Sequence, residues 1–191
     1  AAGVGHVVVA DIDGVVSRTR PGITGQLQWV AEHTNPENLQ CSLKESLAGA
    51  DVFIGVSAPR VIDAEDVATM ADRAIVFALA NPEPEIDPAE AQRYAEVVAT
   101  GRSDFPNQIN NVLAFPGVFR GLLDARSTNI TDVMLIAAAR ALASVVSPAE
   151  LNATYITPSV FHADVHRRVA EAVRIAAGGP AELPVDTEVV A

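Results

Sequence analysis

The stretch that decides the fold is Asp51-Val52-Phe53-Ile54-Gly55-Val56-Ser57, an apolar run that ends at a small polar residue. Three other runs have the same character, so we predict four parallel strands over residues 7–10, 52–56, 74–79 and 97–99. β-Branched runs without polar alternation are typical of strands buried on both faces, as in a parallel sheet. Ligands of such sheets bind at the carboxyl ends of the strands. The residues that follow each run are therefore the first candidates for function.

Helical segments alternate with these strands. We predict short helices over residues 24–33, 42–47, 63–70 and 88–94 from the spacing of their apolar residues. Two longer helices come last, one capped by Thr131 and one ended near Gly178. Strands that alternate with helices predict an α/β fold whose parallel strands are joined by right-handed crossovers.

Composition excludes several classes of protein. A net charge of −11 makes nucleic acid an unsuitable partner, because phosphate binding needs clustered Lys and Arg. Apolar residues make up 49% of the chain and charged residues 19%, which excludes a disordered chain. Cys41 is the only cysteine, so no disulfide can form within the chain, and no apolar run approaches the roughly 20 residues of a membrane helix. We expect a cytoplasmic protein with no membrane partner.

Asp11 and Asp13 follow the first apolar run, in the sequence Asp-Ile-Asp-Gly, and three interpretations are open. A carboxylate at a strand end can accept hydrogen bonds from the ribose hydroxyls of a nucleotide. Alternatively, the pattern is similar to the nucleophile motif of the haloacid-dehalogenase-like, Mg-dependent phosphatases, with Ser57 at their second motif. The third interpretation is a turn that uses Asp and Gly14 for their backbone preferences.

Amide side chains mark the later strand ends. Asn81 follows the third run and precedes Pro82, which fits either an aimed carboxamide or an Asn-Pro turn. Residues 101–112 form the densest polar segment, and they include Asn110 and Asn111. Amides both donate and accept, so they can orient a small dicarboxylate and a nicotinamide amide. Capping of a helix start explains the same residues equally well.

Four arginine or histidine positions have weaker interpretations. His162 and His166 are four apart on a predicted helix and could share a face, but the glutamate of a metalloprotease motif is absent, so a solvated face is favoured over a metal site. Arg18 and Arg20 lie downstream of Asp11. They could meet a cofactor 2′-phosphate or face solvent.

The chain as a whole resembles the malic enzymes, particularly the compact bacterial type. The resemblance is carried by ADVFIGVSAP at 50–59, FALANPEPEI at 77–86 and GRSDFPNQINNVLAFPGVFRG at 101–121. It implies a Rossmann-like, doubly wound parallel sheet with C-terminal helices, whose first strand–helix unit and glycine-rich phosphate loop lie upstream of this chain. We accordingly expect an N-terminally incomplete NAD(P)-binding domain over residues 1–178 and a loose tail over 179–191.

This family converts malate and NAD(P)⁺ into pyruvate, CO₂ and NAD(P)H with a divalent metal, Mg²⁺ or Mn²⁺. The resemblance implies that its catalytic residues and metal ligands lie upstream, so we expect the 191 residues alone to be inactive and the complete enzyme to be a homo-oligomer. Cofactor contacts are then expected at Asp11, Ser57, Ala58 and Asn81, and substrate contacts at Asn81, Asn110 and Asn111. NAD is predicted over NADP, because Asp11 and Asp13 would repel a 2′-phosphate. The alternatives are the phosphatase and a non-catalytic nucleotide-sensing domain.

Overall fold

A computed structural model of the chain describes residues 3–179, and it divides into two compact units. One unit ends at Gln108 and the other begins at Ile109, and each is described by itself. Most of the tail expected over 179–191 lies outside the described residues. The secondary structure elements, in chain order, are β1 (Ala10–Asp11), β2 (Gly14–Val15), α1 (Gly25–His33), α2 (Leu43–Ser46), β3 (Val52–Gly55), α3 (Ala64–Ala68), β4 (Ile75–Ala78), α4 (Pro88–Ala91), β5 (Val97–Thr100), a 3₁₀ helix (Asn111–Leu113), α5 (Phe115–Ala125), α6 (Asp132–Ala143) and α7 (Val165–Ala176).

A parallel sheet forms the core of the first unit. Its strand order is β3-β4-β5, and the register pairs Val52 with Ile75 and Ile75 with Val97. Val76 is fully buried on β4, and all four residues of β5 are buried. Three of the four predicted strands and the α/β class are therefore confirmed. The prediction that every strand is buried on both faces is wrong for β3, whose Val52 and Ile54 are exposed, because β3 is at the edge of this sheet and residues alternate between its two faces.

The predicted fourth parallel strand, over residues 7–10, is wrong for the described part of the chain. Only Ala10 and Asp11 form a ladder there, and it is antiparallel, with Gly14–Val15. The turn explains the difference. Gly14 has a φ of +99°, which is costly for other residues, and the turn reverses the direction of the chain so that β2 pairs with β1. Asp11 and Asn81 therefore do not lie on the edge of one common sheet.

Three of the four helices of the first unit begin with a side-chain cap, and α1, which begins after Thr24, does not. Ser42 and Asp63 each begin a capping box, at α2 and α3, and Asp87 caps α4. Side-chain caps of this kind replace hydrogen bonds that the first turn of a helix cannot make internally. The helices predicted over 24–33, 42–47, 63–70 and 88–94 are all present, with somewhat shorter bounds.

The regular elements among the described residues of the second unit are the 3₁₀ helix and α5, α6 and α7. α5 and α7 approach closely at Gly121, where an added Cβ would lie 2.4 Å from the carbonyl oxygen of Ala170. Thr131 is at the N-cap position of α6, as predicted, but its side chain makes no capping hydrogen bond. Gly178 follows α7 with a φ of +78°, as expected for a glycine at a helix end. The expectation that His162 shares a helix with His166 is wrong, because α7 begins only at Val165. No helix among residues 3–179 is long and apolar enough to cross a membrane.

Candidate active site at the strand ends

A buried carboxylate joins the carboxyl ends of β3 and β4. Glu85 is fully buried, and its Oε1 accepts hydrogen bonds from the backbone N–H of Ser57 at 2.7 Å and from the Ser57 hydroxyl at 3.2 Å. Its Oε2 accepts the backbone N–H of Ala80 at 3.0 Å. A buried charge is costly unless it is fully hydrogen-bonded, and three donors meet that need. Glu85 therefore fixes the two loops that carry Ser57–Ala58 and Asn81.

Gly55 provides the space for this carboxylate. A Cβ at Gly55 would lie 2.4 Å from Cδ and 2.7 Å from Cγ of Glu85, far inside normal contact. The side chain of Glu85 thus passes directly against the last residue of β3. Only glycine allows this approach, which explains an isolated glycine within an otherwise apolar strand.

Asn81 lies where the ends of β4 and β5 meet. Its Nδ2 donates to the carbonyl of Leu79 at 3.2 Å, and a Cβ added to Gly101 would lie 3.1 Å from its Oδ1. The residue remains exposed, so its amide retains capacity for a ligand. Both earlier interpretations are thus compatible: Asn81 precedes a proline in a turn, and its carboxamide stands at the sheet's carboxyl edge.

The polar segment after β5 is tied down by its own side chains. Asn107 is buried, has a φ of +55° and donates from Nδ2 to the carbonyl of Val98 at 3.0 Å. Arg102 binds Asp104 through two nitrogens, and this guanidinium holds the pKa of the Asp104 carboxyl below its usual range. Part of the amide-rich segment therefore serves local structure.

Asp11 lies on the antiparallel hairpin, apart from the parallel sheet. Its Oδ1 accepts from Arg20 Nη1 at 2.8 Å and from the backbone N–H of Asp13 at 2.9 Å, and Arg20 Nη2 binds Asp13 at 2.8 Å. The hydrogen bond from Arg20 holds the pKa of Asp11 below its ordinary value, although desolvation opposes this. The turn interpretation is confirmed by the bond to Asp13. About a third of the Asp11 side chain remains exposed, so it can still accept from a ribose.

Two other predicted contacts begin the second unit. Asn110 caps the 3₁₀ helix, with its Oδ1 accepting the N–H of Val112 at 3.0 Å, so the capping interpretation is confirmed for this residue. Asn111 is the first residue of that helix and is exposed.

Ala58, in the first unit, is also exposed, directly after Ser57. Glu85 thus links Ser57 to Ala80, the neighbour of Asn81, whereas Asp11 lies on its own hairpin.

Glu85 was missed by sequence reasoning. Its only signal is an acidic residue between two apolar ones, in Pro84-Glu85-Ile86, and all three of these residues are buried. Glutamate is almost never fully buried unless it has partners. A glycine on the neighbouring strand is the complementary signal, but the two are far apart in the chain.

A parallel α/β unit with tethered polar loops at the carboxyl ends of its strands belongs to the dinucleotide-binding, Rossmann-like class. A family model described as "Malic enzyme, NAD binding domain" matches residues 2–177. The chain therefore belongs to the NAD-binding domain family of the malic enzymes. This assignment supports a nicotinamide cofactor, NAD or NADP, and not the phosphatase alternative.

Individual relatives agree with the family assignment. The chain is 56% identical over 173 residues to an NAD-dependent malic enzyme of Geobacillus stearothermophilus, covering 91% of this chain and 36% of that one. It is 49% identical to a bifunctional malic/malolactic enzyme of Bacillus subtilis, covering 99% of this chain and 47% of the relative. The solved NAD-dependent malic enzyme of Thermotoga maritima matches with a TM-score of 0.82 at 42% identity, over 88% of this chain and 45% of that one. This chain thus spans less than half the length of these relatives.

Proposed function

We propose that this chain is the cofactor- and substrate-binding part of an enzyme that oxidatively decarboxylates malate to pyruvate and CO₂ with reduction of NAD(P)⁺. The observation that carries the proposal is that buried Glu85 links Ser57 to Ala80, the residue before Asn81, at the strand ends of a domain of this family. Relatives named as malic enzymes, two to three times as long as this chain, support it.

The exposed polar groups fit the parts of the two ligands. Asp11 would accept from the adenosine ribose, beside a cavity of about 420 Å³ lined by Arg18, Arg20 and Gln28, among others. Ser57 and Ala58 would contact the cofactor beyond its adenosine ribose, in the direction of the nicotinamide. Asn81 would orient the nicotinamide amide and malate through neutral hydrogen bonds, and Asn110 and Asn111 are further proposed contacts to malate. These contacts would place C2 of malate against the nicotinamide for hydride transfer, and positioning of this kind lowers the barrier.

The remaining chemistry would come from elsewhere in the polypeptide. We propose that the catalytic acid and base lie outside these 191 residues, and that the 191 residues alone do not turn over malate. Among residues 3–179, no group of three or more His, Cys, Asp or Glu side chains could hold a metal ion. The Mg²⁺ or Mn²⁺ that the family resemblance implies therefore does not fit the residues described here. We further propose that the complete enzyme is a cytoplasmic homo-oligomer.

Steady-state turnover of the complete gene product tests the proposal. The protein is supplied with malate, Mn²⁺ and either NAD⁺ or NADP⁺, and reduced nicotinamide and pyruvate are both quantified. We expect one pyruvate for each cofactor reduced. The control is Val76→Ala, which weakens the core without touching the strand-end loops. Stoichiometric oxaloacetate without pyruvate, or reduction that does not depend on malate, would overturn the proposal.

A further inference from the structure

We infer that Glu85 is a positioning residue that aligns the Ser57 and Asn81 loops for the nicotinamide cofactor, an inference that rests on the proposed function. Both oxygens of the carboxylate are engaged, Oε1 by Ser57 and Oε2 by the N–H of Ala80, the residue before Asn81. One rigid group thus sets the spacing between a loop after β3 and a loop after β4. Gly55, which leaves room for the side chain, completes the arrangement.

The arrangement requires a carboxylate and not merely a polar side chain. Three donors converge on two oxygens, so each oxygen must act as an acceptor. In Glu85→Gln the side chain keeps its shape, but its NH₂ group must face an N–H donor of Ser57 or Ala80. One loop would then lose its anchor. Because Oε1 has two donors, we expect the amide oxygen to stay with Ser57 and the loop of Ala80 and Asn81 to shift.

The same geometry fixes the chemical character of Ser57 toward a ligand. Its hydroxyl proton is donated to Glu85 at 3.2 Å. The lone pairs of Oγ that remain can only accept, so Ser57 would receive a hydrogen bond from a ribose hydroxyl or an amide N–H of the cofactor. A phosphate oxygen, which is an acceptor, would find no donor in this hydroxyl.

A double-mutant cycle in the complete gene product tests whether Glu85 acts through Asn81. The Kd for NADH is measured from nicotinamide fluorescence in wild type, Glu85→Gln, Asn81→Ala and the double variant. We expect Glu85→Gln to raise the Kd about ten- to a hundredfold in the wild-type background, because one anchoring hydrogen bond to the carboxylate is lost. In the Asn81→Ala background the same change should raise it less than about threefold, because coupled residues give non-additive effects.

A merely structural role makes a different prediction. Val76→Ala removes buried volume from the same core without contacting either loop, and it should lower the melting temperature while leaving the Kd within about twofold of wild type. Should Glu85→Gln fail to fold, Glu85→Asp keeps the charge but, one methylene shorter, can hold only one of the two loops. It should then raise the Kd by an intermediate amount. Equal effects of Glu85→Gln in both backgrounds would overturn the positioning role.

Amide hydrogen exchange on the same samples separates this inference from the proposed function. Glu85→Gln should speed exchange at Ala80, or at Ser57 if the amide turns the other way, and Val76→Ala should not do so selectively. A wild-type protein that does not bind NADH would defeat the proposed function, whereas accelerated exchange would still support the link between the loops. Unchanged exchange at both amides would defeat the link itself, whatever the protein binds.

Discussion

Gly55→Ala is predicted to displace the side chain of Glu85 and so to disturb the loops of Ser57 and Asn81. The new Cβ would lie 2.4 Å from Cδ and 2.7 Å from Oε1 of that side chain, whereas carbon atoms normally pack about 3.5–4.0 Å apart. The carboxylate must therefore retreat by about 1 Å. Its bonds to the amides of Ser57 and Ala80, now 2.7 and 3.0 Å, would lengthen to or beyond the limit of a hydrogen bond.

The cost follows from the burial of this charge. Losing one hydrogen bond to a charged group costs about 1.5–3 kcal/mol, and overpacking a core typically costs about 1–3 kcal/mol. Because the strand can shift and absorb part of this strain, we expect the free energy of unfolding to fall by about 2–4 kcal/mol. Affinity for NADH should fall as well, because both loops move.

Chemical denaturation and NADH titration of the complete gene product measure these two effects. Gly5→Ala is the matched control, since no heavy atom lies within 4 Å of its added Cβ. Combining Gly55→Ala with Glu85→Ala should cost less than the sum of the single changes, because the clash disappears with the side chain. A Gly55→Ala protein as stable as wild type, with unchanged affinity, would refute the reasoning.

Three further predictions concern single positions. Asn111→Ala should leave the fold intact but lower kcat/KM for malate about ten- to a hundredfold, and unchanged kinetics would reduce Asn111 to a helix-start residue. The hydrogen bond from Lys44 lowers the pKa of Asp63 to about 2. This pair should therefore stabilise the fold above pH 3.8 and lose that contribution as the pH falls toward 2, and Lys44→Met should raise the pKa toward 3.8 in an NMR titration. The kcat/KM for NAD should exceed the kcat/KM for NADP. Arg20→Ala should increase the ratio of the NAD value to the NADP value, because it removes the cation that offsets the negative charge of Asp11. A decrease in that ratio would contradict this prediction.

Local sequence was sufficient for most elements of the fold. β3, β4 and β5 were predictable because their apolar, β-branched runs fit a parallel sheet, although only β5 is buried along its whole length. The helix end near Gly178 was predictable because glycine adopts the positive φ found there. Residues 7–10 show the limit. A run of valines indicates that a segment can form a strand, but contacts elsewhere decide which strand it pairs with. Here the turn at Gly14 leads to antiparallel pairing.

The site was predictable only in part, for a similar reason. Ser57 and Asn81 were found because they follow strands, but Glu85 was not, since its burial depends on the space left by Gly55 on another strand. Asn110 was ambiguous because an amide that caps a helix and an amide that binds a ligand have the same sequence pattern. Hydrogen-bond partners that come from distant segments are what a local pattern cannot specify.

The position of bound NAD⁺ in a crystal structure of the complete gene product would test the central claim most directly. We predict that the adenosine ribose lies within hydrogen-bond distance of the Asp11 carboxylate and that the nicotinamide end lies beside Asn81. The Ser57 hydroxyl should accept from the cofactor while it still donates to Glu85. A cofactor bound away from the carboxyl ends of β3 and β4, with Ser57 and Asn81 untouched, would contradict the account.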